Sequence, residues 1–215
     1  MNNKIYLLSP ELKEGTNALP MITFRTLVKE IDFSLTDTLM FTSKQAVKTA
    51  ESVNPLWKNL PCLAIGAATA RQVETLGGRV IYQPKSFYAK VLTQDIVQKF
   101  KEKKILYLRP KEVSFDSKTF LEKAGLYLEE KVIYETSCVA YEAKDAPLEN
   151  AVLIFTSPST IRCFLKNFNW KDSYTAVVIG KSTQKHLPHN AVYKVAELPT
   201  IEACIEKAQT LSNSK

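Results

Sequence analysis

The feature that most restricts how this chain of 215 residues can fold is a repeat written out of order. Leu39-Met40-Phe41-Thr42-Ser43 is echoed by Leu153-Ile154-Phe155-Thr156-Ser157, an offset of 114 residues. Ala64-Ile65-Gly66-Ala67-Ala68-Thr69 is echoed at the same offset by Val178-Ile179-Gly180-Lys181-Ser182-Thr183, so 25 residues separate Phe from Gly in both copies. Two matches that share both offset and internal spacing point to a duplication. A third match, Lys4-Ile5-Tyr6-Leu7-Leu8-Ser9-Pro10 with Lys104-Ile105-Leu106-Tyr107-Leu108-Arg109-Pro110, has an offset of 100. In the middle copy this strand follows the other two motifs, whereas in the outer copy it precedes everything.

A discontinuous domain explains that order. Residues 1–25 join 143–215 in one lobe, and 26–142 form a related lobe inserted into it, with crossovers near 26–33 and 136–142. A two-strand hinge of this kind permits opening and closing. The local patterns give the fold class: α/β, two related lobes with parallel sheets flanked by helices. Short apolar strands (Ile5–Leu8, Thr38–Thr42, Leu63–Ile65, Ile105–Leu108, Val152–Thr156, Ala176–Ile179) alternate with helical segments. Ser43, Ala68 or Thr69, Ser114, Pro158 or Ser159, and Thr200 stand where helix caps or first turns belong. Val91, Leu92, Ile96, Val97 and Phe100 share one helical face, and Gly77-Gly78 and Gly125 end helices.

Composition removes several classes of function. Apolar residues make up 45% and charged residues 24%, enough for a core and a polar surface. Apolar runs such as 151–155 stop at five residues, far short of the ~20 that cross a bilayer. The stretch from Met1-Asn2-Asn3-Lys4 to Ser9-Pro10 is too short for a signal-peptide core, and a cytoplasmic protein with no membrane partner is expected. The net charge of +7 suits an acidic partner, though on charge alone a solvated surface with excess lysine is the simpler reading. Its dense cluster, Lys99-Phe100-Lys101-Glu102-Lys103-Lys104, reads as a helix end and lacks stacking aromatics interleaved with Arg, which argues against nucleic acid. Cys62, Cys138, Cys163 and Cys204 form no CxxC pair and lie in apolar stretches, so four reduced, buried thiols are expected. His186 and His189 are the only histidines, which speaks against a metal site and against a Ser-His-acid triad. GxGxxG and Walker loops are missing from the sequence, so no cofactor is expected.

In open parallel sheets, ligands sit beyond the carboxyl ends of the strands, where helices begin. Thr42 and Ser43, Gly66 and Thr69, Ser157 and Ser159, and Gly180 and Thr183 occupy four such places. Unpaired N–H groups and the helix dipole bind carboxylates or phosphates there. Taken singly, each hydroxyl is only a helix cap, worth about 1 kcal/mol. Four equivalent places in two lobes of a basic chain favour an anionic ligand between the lobes.

The FTS turn at 41–43, the IG-x-x-T turn at 65–69, Phe155-Thr156-Ser157-Pro158-Ser159 and Val132-Ile133-Tyr134-Glu135-Thr136 together resemble uroporphyrinogen-III synthase. The resemblance spans Thr38 to the C-terminus and departs from the family in two corners. Ser9-Pro10 stands where an Arg-Pro is common, and Arg109-Pro110-Lys111-Glu112 where a glycine turn is common. It implies a cofactor-independent, metal-free hydro-lyase that closes linear hydroxymethylbilane into uroporphyrinogen III with loss of water and inversion of ring D. It implies that Tyr134 lies near the reacting hydroxyl, donating a hydrogen bond or proton, or else packs against the core. It further implies that Thr42, Ser43, Gly66, Thr69, Ser157, Ser159, Gly180 and Thr183 bind substrate carboxylates. Arg109 and Lys111 are either counter-charges or an exposed turn. Trp57 and Trp170 read as packing residues, and a monomer is expected. A non-catalytic bilobed binder of an anionic metabolite is the main rival, ahead of a nucleic-acid module and a phosphate-dependent transferase.

Overall fold

The computed structural model describes residues 4–84 and 88–213. Met1, Asn2 and Asn3, which belong to the N-terminal stretch read above for a leader, lie outside them. The elements in chain order are β1 (Ile5–Leu7), β2 (Asn17–Ala18), β3 (Ile22–Thr26), β4 (Thr38–Phe41), α1 (Lys44–Val53), β5 (Pro61–Ala64), α2 (Ala67–Thr75) and β6 (Arg79–Tyr82). Then come α3 (Ala89–Lys99), β7 (Ile105–Pro110), α4 (Ser117–Lys123), β8 (Leu128–Cys138), β9 (Val152–Phe155) and α5 (Pro158–Asn167). The chain ends with β10 (Thr175–Val178), α6 (Lys181–Gln184), β11 (Val192–Val195) and α7 (Ile201–Asn213). Parallel sheets flanked by helices make this an α/β protein.

Two compact units divide the chain: Phe24–Glu135, and Met1–Thr23 together with Thr136–Lys215. The continuous unit holds a sheet in the order β3-β8-β7-β4-β5-β6, and the discontinuous unit one in the order β11-β10-β9-β1-β2. The two orders account for the scrambled repeat. In one unit β4 sits between β5 and β7, and in the other β9 sits between β10 and β1. Register agrees residue by residue: Met40 pairs with Tyr107, and Ile154, 114 positions after Met40, pairs with Leu7, 100 positions before Tyr107. β1 thus fills in its own sheet the place that β7 fills in the other.

The central strands β4, β9 and β10 are buried along their whole length, as strands covered by helices on both faces must be. In the continuous unit α1 lays Ala46, Val47 and Ala50 on Leu39, Phe41, Leu106 and Leu108. The opposite face packs Leu92 and Ile96 of α3 and Leu121 of α4 on Met40, Leu63 and Tyr107. In the discontinuous unit Ile201, Cys204 and Ala208 of α7 cover Ile5, Leu7, Val152 and Ile154. Phe155, Phe164, Trp170 and Tyr174 pack there as an aromatic group. Trp57 is fully buried against Phe41, and its indole N–H donates to Glu51. Gly77, at φ +87°, turns the chain out of α2, and Gly78 passes so close to Trp57 that a Cβ would stand 2.4 Å from the ring.

Several expectations need correction. Cys138 and Cys163 are not two reduced thiols; they form a disulfide, while Cys62 and Cys204 remain free and buried. Their closeness arises from tertiary packing: the segment after β8 lies on α5, where Asn167 donates to the Val139 carbonyl and accepts from the Tyr141 N–H. The same contacts move the second boundary. Residues 136–142, expected in the inserted lobe, belong to the discontinuous unit, held further by Val139 N–H to the Met21 carbonyl and the Tyr141 hydroxyl to the Pro20 carbonyl. The cap of α4 is Asp116 and not Ser114, because the Asp116 carboxylate accepts from Thr119 N–H and Thr119 hydroxyl together.

Candidate functional site

In the continuous unit β7, β4 and β5 are parallel neighbours, so their carboxyl ends share one edge of the sheet. After Phe41 the chain leaves β4 through half-buried Thr42 and Ser43 and enters α1. Ser43 is the N-cap: its extended backbone and small hydroxyl let Oγ accept from Ala46 N–H at 3.0 Å. Beside it, Gly66 is the N-cap of α2 and supplies no side-chain cap, which leaves the start of that helix lined by backbone. Thr69 is buried in the first turn of the same helix.

Two phenols reach this edge from opposite faces of the sheet. Tyr134 of β8 packs with the α1 face, edge-on to Phe24, and its hydroxyl lies 2.8 Å from Ser43 Oγ. Tyr107 of β7 packs with the α3 face, and its hydroxyl lies 2.7 Å from Thr42 Oγ1. The β7–β8 register slips between Arg109 and Pro110, so that Arg109 faces Val132 while Pro110 faces Tyr134. Ile133 and Tyr134, though consecutive, thereby enter the same apolar cluster. Burial pushes the Tyr134 phenol above the ordinary tyrosine range, against the smaller opposing pull of its bond to Ser43. Burial pushes Tyr107 up to about 12, with Thr42 and Arg109 opposing.

Arg109 and Lys111, at the end of β7, have their charges engaged locally. Arg109 Nε stands 3.1 Å from Glu130 Oε2, off the line of a hydrogen bond, so that contact is electrostatic, and Nη1 donates to the carbonyls of Pro110 and Lys111. Lys111 Nζ lies 3.3 Å from Glu135, which also takes two donations from Arg25. Arg25 first, and Lys111 second, hold the Glu135 carboxyl below its usual range.

The discontinuous unit repeats the design with differences. Ser157 caps α5 in a capping box with Thr160, after which come Pro158 and Ser159, whose hydroxyl accepts from Arg162. Gly180 begins the four-residue α6, again without a side-chain cap, and Thr183 is buried in it. No tyrosine stands at the place equivalent to Tyr107; Leu7 occupies it, fully buried. The sequence reading missed Tyr107, although the third repeat set it opposite Leu7 and so marked it as different. Among the described residues no group of three or more His, Cys, Asp or Glu is placed to hold a metal ion.

Thus each unit gathers its own predicted residues: Thr42, Ser43, Gly66, Thr69, Arg109, Lys111 and Tyr134 in one, and Ser157, Ser159, Gly180 and Thr183 in the other. Comparison with known proteins adds the family. The family model described as uroporphyrinogen-III synthase HemD matches residues 15–206. No curated protein matches the chain significantly. The solved uroporphyrinogen-III synthetase of Helicobacter pylori is 26% identical, with a TM-score of 0.78, covering 97% of this chain and 99% of that one. A mutant uroporphyrinogen III synthase of the extremely thermophilic bacterium Thermus thermophilus shares the fold at 12% identity, with a TM-score of 0.62, covering 98% and 99%. Matched by the family model across most of its length, and similar to a solved relative almost from end to end, the chain belongs to the uroporphyrinogen-III synthase family.

Proposed function

We propose that this chain closes hydroxymethylbilane into uroporphyrinogen III, releasing one water and inverting ring D through a spiro intermediate. Family membership over residues 15–206 is the observation that carries the reading. The substrate is a flexible chain of four pyrroles, each bearing an acetate and a propionate. Left alone, its hydroxymethyl group loses hydroxide and the resulting azafulvenium cation closes on the free carbon of the terminal pyrrole, which then gives up its proton. The protein has to hold the two ends in another geometry and exclude water while the cation exists, effects worth several kcal/mol.

The helix starts suit that polyanion. Thr42, Ser43, Gly66 and Thr69 in one unit, and Ser157, Ser159, Gly180 and Thr183 in the other, would take carboxylates through hydroxyls and first-turn N–H groups. Arg109 and Lys111 would act less as direct partners than as local positive potential, since Glu130 and Glu135 already engage them. The two crossovers near residues 24 and 135 would let the units move as the substrate binds.

Tyr134 is the group we assign to the departing hydroxyl. With Ser43 Oγ accepting from Ala46 N–H, the Ser43 hydrogen can turn to the Tyr134 oxygen. The phenol hydrogen is then free for the leaving oxygen, and Ser43 stabilises negative charge that develops on the phenol. The reading extends to a monomeric, cytoplasmic enzyme without a nucleic-acid partner; the Lys99–Lys104 cluster begins at the last residue of α3. No helix among the described residues is long and apolar enough to cross a membrane. Incubation with freshly prepared hydroxymethylbilane, followed by separation of the isomers, tests the proposal: isomer III should predominate, and a product that is all isomer I would overturn it.

A further inference from the structure

The two units differ at one core position whose neighbours otherwise correspond. Leu7 in β1 and Tyr107 in β7 pair with Ile154 and Met40, which themselves match across the repeat. Leu7 is fully buried and purely apolar. Tyr107 is 2% exposed, and its hydroxyl ends 2.7 Å from Thr42 Oγ1, beyond the end of β4. The equivalent hydroxyl in the other unit is that of Thr156, and the equivalent of Tyr107 beneath it is a leucine. Packing alone is satisfied by leucine at this place, so the phenol is explained by what its oxygen does.

We propose that Tyr107 is a positioning residue that fixes the direction of the Thr42 hydroxyl toward substrate; the proposal rests on the catalytic reading above. A phenol is a stronger donor than an aliphatic alcohol, and burial keeps this one protonated well beyond neutral pH. Either oxygen can donate across this contact; on the proposal Tyr107 donates and Thr42 accepts. Once Thr42 Oγ1 accepts from below, its own hydrogen is directed away from Tyr107, available to a carboxylate. The donated bond also polarises Thr42 and makes it a better donor. Next to it, Ser43 Oγ already accepts from Ala46 N–H, so on the proposal the Ser43–Tyr134 pair takes the other sense, with the alcohol donating to the phenol. Two adjacent residues, Thr42 and Ser43, would thus hold hydroxyls of fixed and opposite order, one for binding a carboxylate and one for supporting Tyr134.

The experiment is a mutant cycle on the purified full-length protein with hydroxymethylbilane. Thr42→Val should raise KM by roughly 10-fold, the loss expected when a carboxylate loses one hydroxyl donor. Tyr107→Phe should raise KM by roughly 3- to 5-fold with kcat nearly unchanged, since the alcohol remains but is no longer held. In the Tyr107→Phe Thr42→Val double variant the added effect of Tyr107→Phe should vanish, and Thr42→Ser should keep most of the affinity. A purely structural tyrosine would lower the thermal midpoint and leave KM alone, or would add its effect in full to that of Thr42→Val; either result overturns the proposal. If the unaltered protein forms only isomer I, the catalytic reading falls and takes this proposal with it. If it forms isomer III but the cycle is additive, this proposal falls alone.

Discussion

At Ser43 one hydroxyl performs two tasks, capping α1 and meeting the Tyr134 phenol, and substitutions separate them. Tyr134→Phe removes the phenol donor and leaves the cap intact. The rate of isomer III formation should fall at least about tenfold, with little change in thermal midpoint, as stopped-time product analysis and calorimetry would show. Unchanged rate in a folded variant would return Tyr134 to the core. Ser43 was legible in the sequence because a serine between an apolar strand and a helical pattern has few other uses. Tyr107 was not picked out, although the third repeat sets it opposite Leu7, because a tyrosine inside Ile105–Leu108 reads as one more core side chain; the reach of its hydroxyl to Thr42 belongs to the folded chain. Arg109 and Lys111 were legible as cations, but not their pairing with Glu130 and Glu135, which β8 brings alongside.

Among the elements, those whose ends carry a motif were read within a residue or two: β4 into α1, β5 into α2, β9 into α5. Strand β8 was not among the strands read from the sequence, where Val132-Ile133-Tyr134-Glu135-Thr136 stood only as a motif, because Glu129, Glu130 and Lys131 interrupt any simple alternation along its eleven residues. β11, with three of its four residues exposed, has too little apolar character to stand out. The disulfide was missed for a different reason: Cys138 and Cys163 lie 25 residues apart, and only the packing of the crossover segment on α5 brings their Cα atoms to 5.2 Å. Closing a loop of that length contributes about 3 kcal/mol by restricting the unfolded chain. Excess dithiothreitol should therefore lower the thermal midpoint and raise amide exchange in α5. Titration of the unreduced, denatured chain should find two reactive thiols, and four would refute the bond.

For the molecule as a whole, each unit buries one free thiol, Cys62 in one and Cys204 in the other, and burial pushes both up to about 12. Tyr107 is pushed to the same level. Below about pH 8 folded and unfolded chains hold these protons alike, so stability is unaffected by them. From about pH 9 for the thiols, and about 10 for the phenol, the unfolded chain releases protons that the folded chain keeps. Unfolding is then accompanied by proton release, and stability must fall as pH rises, by up to about 1.4 kcal/mol per pH unit for each group. Urea midpoints measured from pH 8 to 11 should decline, and the decline that starts near 9 should shrink in Cys62→Ala Cys204→Ala; midpoints that stay level would contradict the burial of these groups. The pairing of β1 with β9 has another effect, on the chain as it is made. Ile5 finds its partner Val152 only after 147 further residues, so β1 has only the two-residue β2 to pair with until β9 is made, while 24–135 already contains every strand of its own sheet except the first residues of β3 and the last of β8. The inserted half can therefore mature first, and the outer half is completed only once the stretches on both sides of 24–135 are present.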